Sequence, residues 1–153
     1  MTGIAMPHLT CPSPLGDLTL FEEENAIVAL EWGAAEGGEE TPLLRKAVAQ
    51  LDAYFDGAGK SFDLPLNPLG TAFQRKLWKA LSGIPYGQTF TYGEMAHKID
   101  SGPRAIGGAC GKNPIPIIIP CHRVLASGGK MGGYSGLGEL DTKQFLLRLE
   151  GAL

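Results

Sequence analysis

The pair Cys121-His122 closes the most informative run of the 153-residue chain, Asn113-Pro114-Ile115-Pro116-Ile117-Ile118-Ile119-Pro120-Cys121-His122-Arg123-Val124. A thiolate is a strong nucleophile, but a thiol of pKa about 8.5 needs a base or a positive field to ionise at neutral pH. A free buried cysteine taken alone is usually inert packing; here the neighbours change that reading. Three prolines within seven residues predict an extended backbone, and the Ile117–Ile119 triplet predicts burial, so Cys121 is expected at the end of a rigid, buried strand. On a strand, adjacent side chains point to opposite faces, so His122 is expected to reach the sulfur through a bridging water. A carboxylate on the other ring nitrogen would fix the tautomer and stabilise the imidazolium. Glu150 is the candidate, ahead of Glu139 and Asp141, because Phe145, Leu146 and Leu149 set the buried face of the last predicted helix and Gly151 marks its end.

The remaining cysteines suggest no other chemistry. Cys11, Cys110 and Cys121 are far apart and odd in number, with no CxxC pair and no paired histidine spacing, which argues against a disulfide framework and a zinc site. His8 and Cys11 alone do not make four metal ligands. Cys110 is expected to be pocket-wall packing rather than a second acceptor, and Cys11 structural filler. No cofactor is expected. No stretch approaches the roughly 18 apolar residues of a membrane span, and no basic-then-apolar leader opens the chain, so a cytoplasmic protein with reduced thiols is expected.

The elements that must position this run divide the chain in two. Leu15–Trp32 reads as a hairpin, with Leu18 and Leu20 alternating on one strand, Ile27 and Ala29 on the other, and a polar Glu22-Glu23-Glu24-Asn25 turn between them. Thr41-Pro42 starts a helix whose apolar positions are Leu44, Val48, Leu51 and Phe55 and which Gly57 stops. Phe62–Leu66 is a candidate strand. Beyond the Pro65, Pro68, Gly70 cluster come short helices with capping-box starts at Thr71/Gln74, Thr91/Glu94 and, in an extended form, Asp141/Gln144. Pro103 opens a further helix to about Lys112. Thr91–Ile99 and Pro103–Lys112, joined by a tight glycine-containing turn, have the shape of a helix-turn-helix. The second of them carries Gly107, Gly108 and Gly111 beside Ala105 and Ala109, at about 1 kcal/mol per glycine relative to alanine. Something must approach it closely: either a neighbouring helix or a nucleic-acid backbone.

Charge follows the same division. Residues 1–69 carry 3 basic and 11 acidic side chains, residues 70–153 carry 10 basic and 5 acidic, so the overall −3 conceals an acidic half and a basic half. A basic half joined to an acidic one points to a nucleic-acid-facing domain beside one that faces away.

Pro120-Cys121-His122-Arg123-Val124, with Asn113-Pro114 and Arg104-Ala105-Ile106-Gly107 upstream and Tyr134-Ser135-Gly136 downstream, resembles the O6-alkylguanine-DNA alkyltransferase family. Ile84-Pro85-Tyr86-Gly87, Thr91-Tyr92-Gly93 and the Lys143–Glu150 segment extend the likeness over nearly all of residues 71–151. The resemblance implies an α/β (α+β) fold: a ribonuclease-H-like amino-terminal sheet-and-helix domain over 1–66, a linker over 67–70, and a mostly helical winged helix-turn-helix domain over 71–153. It implies irreversible transfer of an alkyl group from O6 of guanine, with O4 of thymine a second candidate, in double-stranded DNA onto a monomeric protein. Cys121 matches the alkyl acceptor, His122 and Glu150 its water-bridged activating network, and Asn113 the support of the active-site turn. Tyr92 matches the tyrosine that helps rotate the nucleotide and protonates the leaving base, and Arg104 the arginine that fills the gap in the base stack. Ala105 and Gly107 lie on the helix that enters the minor groove. Ser127, Tyr134 and Ser135 match positions near the phosphates and the flipped base, and Val124 and Cys110 line its pocket.

Two other classes remain open on sequence. A Cys-His thiol hydrolase would need an oxyanion hole and would turn over, leaving the helix-turn-helix and the basic half unexplained. A non-enzymatic lesion-binding regulator would use the same helix-turn-helix with no need of Cys121.

Overall fold

The computed structural model describes residues 6–130 and 140–153, with the side chain of Leu140 excepted. Tyr134 and Ser135, both expected near the substrate, and Glu139 lie outside the described residues. The chain divides into two units, Met1–Pro68 and Leu69–Leu153.

In the first unit, β1 (His8–Cys11), β2 (Leu18–Glu23) and β3 (Ala26–Trp32) form an antiparallel sheet in the order β1-β2-β3. The hairpin is present, but its second strand does not alternate as expected. Leu20 pairs with Leu30 and Phe21 with Ala29, after which Glu22 pairs with Ile27, so Val28 is skipped. This bulge shifts the parity of the strand: Ile27 and Leu30 are both fully buried while Ala29 is not. Helix α1 (Pro42–Phe55) starts as its sequence predicts, with the Thr41 hydroxyl accepting from Leu44 N–H and Pro42 in the first turn. Its buried stripe, however, is Leu44, Ala47, Leu51 and Tyr54, with Val48 and Phe55 at the margin. The Tyr54 ring fills the place expected for Phe55. The expected strand over Phe62–Leu66 is reduced to one parallel bridge between Ile27 and Leu66, because prolines at 65 and 68 limit the backbone donors available there.

In the second unit, α2 (Ala72–Leu81), α3 (Tyr92–Lys98), α4 (Pro103–Gly111) and α5 (Leu140–Leu149) surround a core of Leu77, Trp78, Leu81, Met95, Ile106 and Leu146. Reciprocal capping boxes at Thr71/Gln74 and Thr91/Glu94 fix the starts of α2 and α3. The third predicted start is corrected: α5 already includes Leu140, so Asp141 is a residue of its first turn, where a carboxylate faces the positive end of the helix, rather than the cap. Helices α3 and α4 pack together through a turn in which Asp100 takes positive φ. The Trp78 indole N–H donates to the carbonyl of Ala109 at 3.0 Å, which holds α4 on α2. Two short strands, β4 (Phe90–Thr91) and β5 (Val124–Leu125), pair in parallel. Among the described residues, no helix is long and apolar enough to cross a membrane.

Candidate active site and nucleic-acid interface

The approach to Cys121 is not the strand that its prolines suggest. Between Asn113 and Cys121 the backbone folds into two three-residue turns. Ile118 N–H donates to the Pro116 carbonyl at 2.9 Å around Ile117, whose φ is +74°; Cys121 N–H donates to the Ile119 carbonyl at 2.8 Å around Pro120. A β-branched residue at positive φ is strained, and it persists only where its surroundings over-determine it. Here burial of Ile115, Ile117, Ile118 and Ile119 does so, together with the Asn113 amide. The Asn113 Oδ1 accepts from Ile115 N–H at 2.9 Å, while Nδ2 donates to the Ile119 carbonyl at 2.9 Å and lies 3.2 Å from Cys121 Sγ. One side chain therefore closes the turn and touches the sulfur.

Cys121–Arg123 then forms a single 3-10 turn, on which successive side chains diverge rather than oppose. Cys121 is 3% exposed and His122 is fully enclosed. His122 Nε2 lies 2.7 Å from Glu150 Oε2, at the carboxyl end of α5. Of the two carboxylates weighed from sequence that lie among the described residues, Glu150 is the one against the imidazole; Asp141 is exposed at the opposite end of the same helix.

Two residues to which sequence reasoning gave no role complete the site. Arg123 donates from Nε to Glu150 Oε1 at 2.8 Å, from Nη2 to Glu150 Oε2 at 3.0 Å and from Nη1 to the Ile84 carbonyl at 2.6 Å. Lys143, also fully enclosed, donates from Nζ to the Val124 carbonyl at 2.7 Å, and its ammonium lies 5.8 Å from the centre of the Tyr92 ring. A signal for Lys143 existed: Lys143, Leu146, Leu147 and Glu150 follow the i, i+3, i+4, i+7 spacing of one helix face.

Burial governs the electrostatics. It pushes the Cys121 thiol up to about 11, against the opposing pull of the Asn113 amide and the Lys143 charge. It pushes Cys110 up to about 12, with the neighbouring Cys121 adding to the rise. It lowers the pKa of His122, an effect that Glu150 opposes and Arg123 and Lys143 reinforce. Lys143 is likewise held below its ordinary value by burial. The imidazole is therefore neutral at pH 7 and the thiol protonated.

Tyr92 reaches this region through β4. Thr91 pairs with Leu125 and caps α3, so Tyr92, the first residue of α3, follows directly from the strand beside Val124. Val124 and Cys110 are buried, while Ser127 is exposed on the short turn after β5.

Helix α4 has two faces. Ile106, Ala109 and Cys110 are buried; Arg104, Ala105, Gly108, Gly111 and Lys112 are exposed, and Gly107 is half-buried. A side chain added at Gly107, Gly108 or Gly111 would meet nothing within 4 Å among the described residues. Of the two explanations for this glycine-rich helix, packing against a neighbouring helix is therefore excluded among the described residues. The small face is open to solvent, flanked by Arg104 and Lys112. Among the described residues, no group of three His, Cys, Asp or Glu is placed to hold a metal ion.

Residues 72–152 match the family described as 6-O-methylguanine DNA methyltransferase, DNA binding domain, and residues 7–68 match 6-O-methylguanine DNA methyltransferase, ribonuclease-like domain. The methylated-DNA–protein-cysteine methyltransferase of Methanosarcina acetivorans is 44% identical over 150 residues, covering 92% of this chain and 95% of the relative. The constitutive methylated-DNA–protein-cysteine methyltransferase of Bacillus subtilis is 39% identical over 156 residues, 94% of each chain. Among solved structures, Mycobacterium tuberculosis OGT in complex with DNA superposes with a TM-score of 0.85 at 42% identity, over 95% of this chain and 92% of that one.

Proposed function

The chain belongs to the 6-O-methylguanine DNA methyltransferase family, and from that membership we propose that it repairs double-stranded DNA by moving a methyl or other alkyl group from O6 of guanine to Sγ of Cys121. The observation that carries this reading is the buried set in which Asn113 touches the sulfur and the next residue, His122, is paired with Glu150.

With Nε2 committed to Glu150, Nδ1 is the ring nitrogen that receives the thiol proton, through one bridging water. A thiol raised to about 11 beside a weakened imidazole makes that transfer uphill in the resting protein. The thiolate is a minority species, which spares a single-use group from adventitious alkylators. Asn113 and the Lys143 ammonium stabilise it when it forms. Sγ then bonds to the alkyl carbon as the carbon–O6 bond breaks, the electron pair stays on guanine, and Tyr92 supplies the proton that neutralises the leaving base. The product is a thioether with no carbonyl or ester for water to attack, so the protein acts once.

O6 of guanine lies inside the duplex, and a buried nucleophile reaches its alkyl group only when the nucleotide leaves the stack. Arg104 occupies the opening. The open face of α4 with Ala105, Gly107 and Gly108 lies against sugars and phosphates in the minor groove, with Ser127 on the backbone nearby. Val124 and Cys110 wall the pocket, and Tyr134 and Ser135 contribute from the segment before α5. The residues required belong to one chain, so a monomer suffices, and a reduced acceptor thiol suits the cytoplasm.

Quantifying O6-methylguanine lost from a duplex against chains added tests the reading. A plateau at one lesion per chain is expected. Repeated turnover would favour a hydrolase, and tight binding with no loss would favour a lesion sensor.

A further inference from the structure

Arg123 engages both oxygens of Glu150 and, through its third nitrogen, the Ile84 carbonyl. Glu150 Oε2 is thereby shared between the imidazole and a guanidinium. Two consequences follow. A carboxylate held by a permanent, charge-assisted fork stays ionised and oriented. Part of its negative charge is also neutralised by Arg123, so it raises the basicity of His122 less than a carboxylate paired with histidine alone would. We propose that Arg123 is a positioning residue that sets the base strength of His122 by dividing the charge of Glu150 between them, keeping the imidazole neutral and ready to accept the thiol proton.

The surroundings support a specific rather than a diffuse effect. Among the described residues, the charged groups acting on His122 are Glu150 and Lys143 from α5 and Arg123 from its own turn. Helix α2, which also packs on that turn, brings only Leu77, Trp78 and Leu81 as its buried residues. The guanidinium is held independently of the carboxylate, by the Ile84 carbonyl and over the Tyr86 ring at 5.8 Å. The Tyr86 hydroxyl in turn donates to the Leu149 carbonyl at 3.2 Å, which ties the Ile84–Gly87 turn to the end of α5. Arg123 thus stands between a fixed turn and the carboxylate that pairs with the imidazole.

The sign is definite. Without the guanidinium charge, Glu150 acts on His122 undivided, the imidazole holds its proton to higher pH, and the acid limb of the transfer rate moves up. This inference rests on the alkyl-transfer reading, and its test separates the two. Single-turnover transfer from saturating O6-methylguanine duplex is followed by intact mass from pH 5.5 to 9 for the wild type, Arg123→Gln and Arg123→Lys. No mass gain in the wild type would defeat the reading itself. Given transfer, Arg123→Gln is expected to move the limb up by about one pH unit, the size of effect one nearby charge produces, and to approach the wild-type rate at pH 9; Arg123→Lys, which keeps the charge, is expected to bring the limb most of the way back to its wild-type position. A uniform slowing at every pH with an unmoved limb would make Arg123 a brace only and overturn the proposal. Should Arg123→Gln not fold, NMR titration of His122 in Arg123→Met decides: methionine keeps the apolar stem without the charge, so an upward shift is expected, and an unchanged or lowered His122 pKa refutes the idea.

Discussion

At the scale of single residues, Cys121 is held as a protected thiol and not as a standing thiolate. At pH 7 it is expected to react with iodoacetamide at least tenfold more slowly than an exposed cysteine, since only the thiolate attacks and burial suppresses it. Parity with a free thiol would contradict this. Removing the base has a calculable range: His122→Gln should slow transfer from duplex by about 10²–10⁴-fold, the usual worth of a positioned general base. Because burial lowers the pKa of His122, the wild-type rate should be flat above about pH 6.5 and fall only in more acidic solution. A limb above pH 7 would remove His122 from the role of neutral base. Arg104→Ala should spare reaction with a free alkylated base more than reaction with duplex, and equal losses would contradict a stack-filling role. The pairing of His122 with Glu150 beside Cys121 was legible in the sequence because Cys121-His122 is contiguous and Glu150 falls on a readable helix face. Arg123 and Lys143 were passed over because charged residues are read by default as solvated; the helical spacing of Lys143 with Leu146, Leu147 and Glu150 marked the one, and only the fold reveals that the other is enclosed.

At the scale of elements, the glycines of α4 separate stability from function. Their added side chains would meet nothing within 4 Å among the described residues, and none of the three takes positive φ. Gly108→Ala should therefore stabilise the free protein by about 1 kcal/mol through helix propensity alone. If the open face lies against a DNA backbone, the larger Gly108→Leu should weaken duplex binding at least tenfold while leaving the fold intact. Thermal unfolding and duplex titration measure the two effects, and undiminished binding by Gly108→Leu would remove this face from the interface. Helix starts were legible wherever a cap or a proline marks them, as at Thr41, Thr71, Thr91 and Pro103. The turn that delivers Cys121 was not. Prolines at 114, 116 and 120 are compatible with a strand or with tight turns, and no local preference places Ile117 at positive φ; that conformation is imposed by burial and by the Asn113 side chain. The bulge at Val28 was invisible for a similar reason, since it depends on pairing with β2.

At the scale of the whole molecule, the basic half of the chain should make duplex binding fall linearly on a log–log plot against salt, largely independent of flanking sequence. The same half should lose stability in alkali. Cys121 and Cys110 are held near 11 and 12 in the fold, whereas unfolded they ionise near pH 8.5. Above that pH the unfolded state binds fewer protons, so stability falls as pH rises, by up to about 1.4 kcal/mol per pH unit for each thiol. Lys143, held below its ordinary value, offsets part of this below about pH 10.4. Cys110→Ser should flatten the slope by one thiol's worth, which denaturant midpoints from pH 8 to 11 would show. These properties matter only if one sulfur is where the alkyl group ends. Intact-mass measurement with peptide mapping after incubation with an O6-methylguanine duplex tests that directly. One added methyl per chain, located on Cys121 and absent from Cys121→Ala, is predicted; a methyl on another residue, or an unchanged gain in Cys121→Ala, would contradict the account.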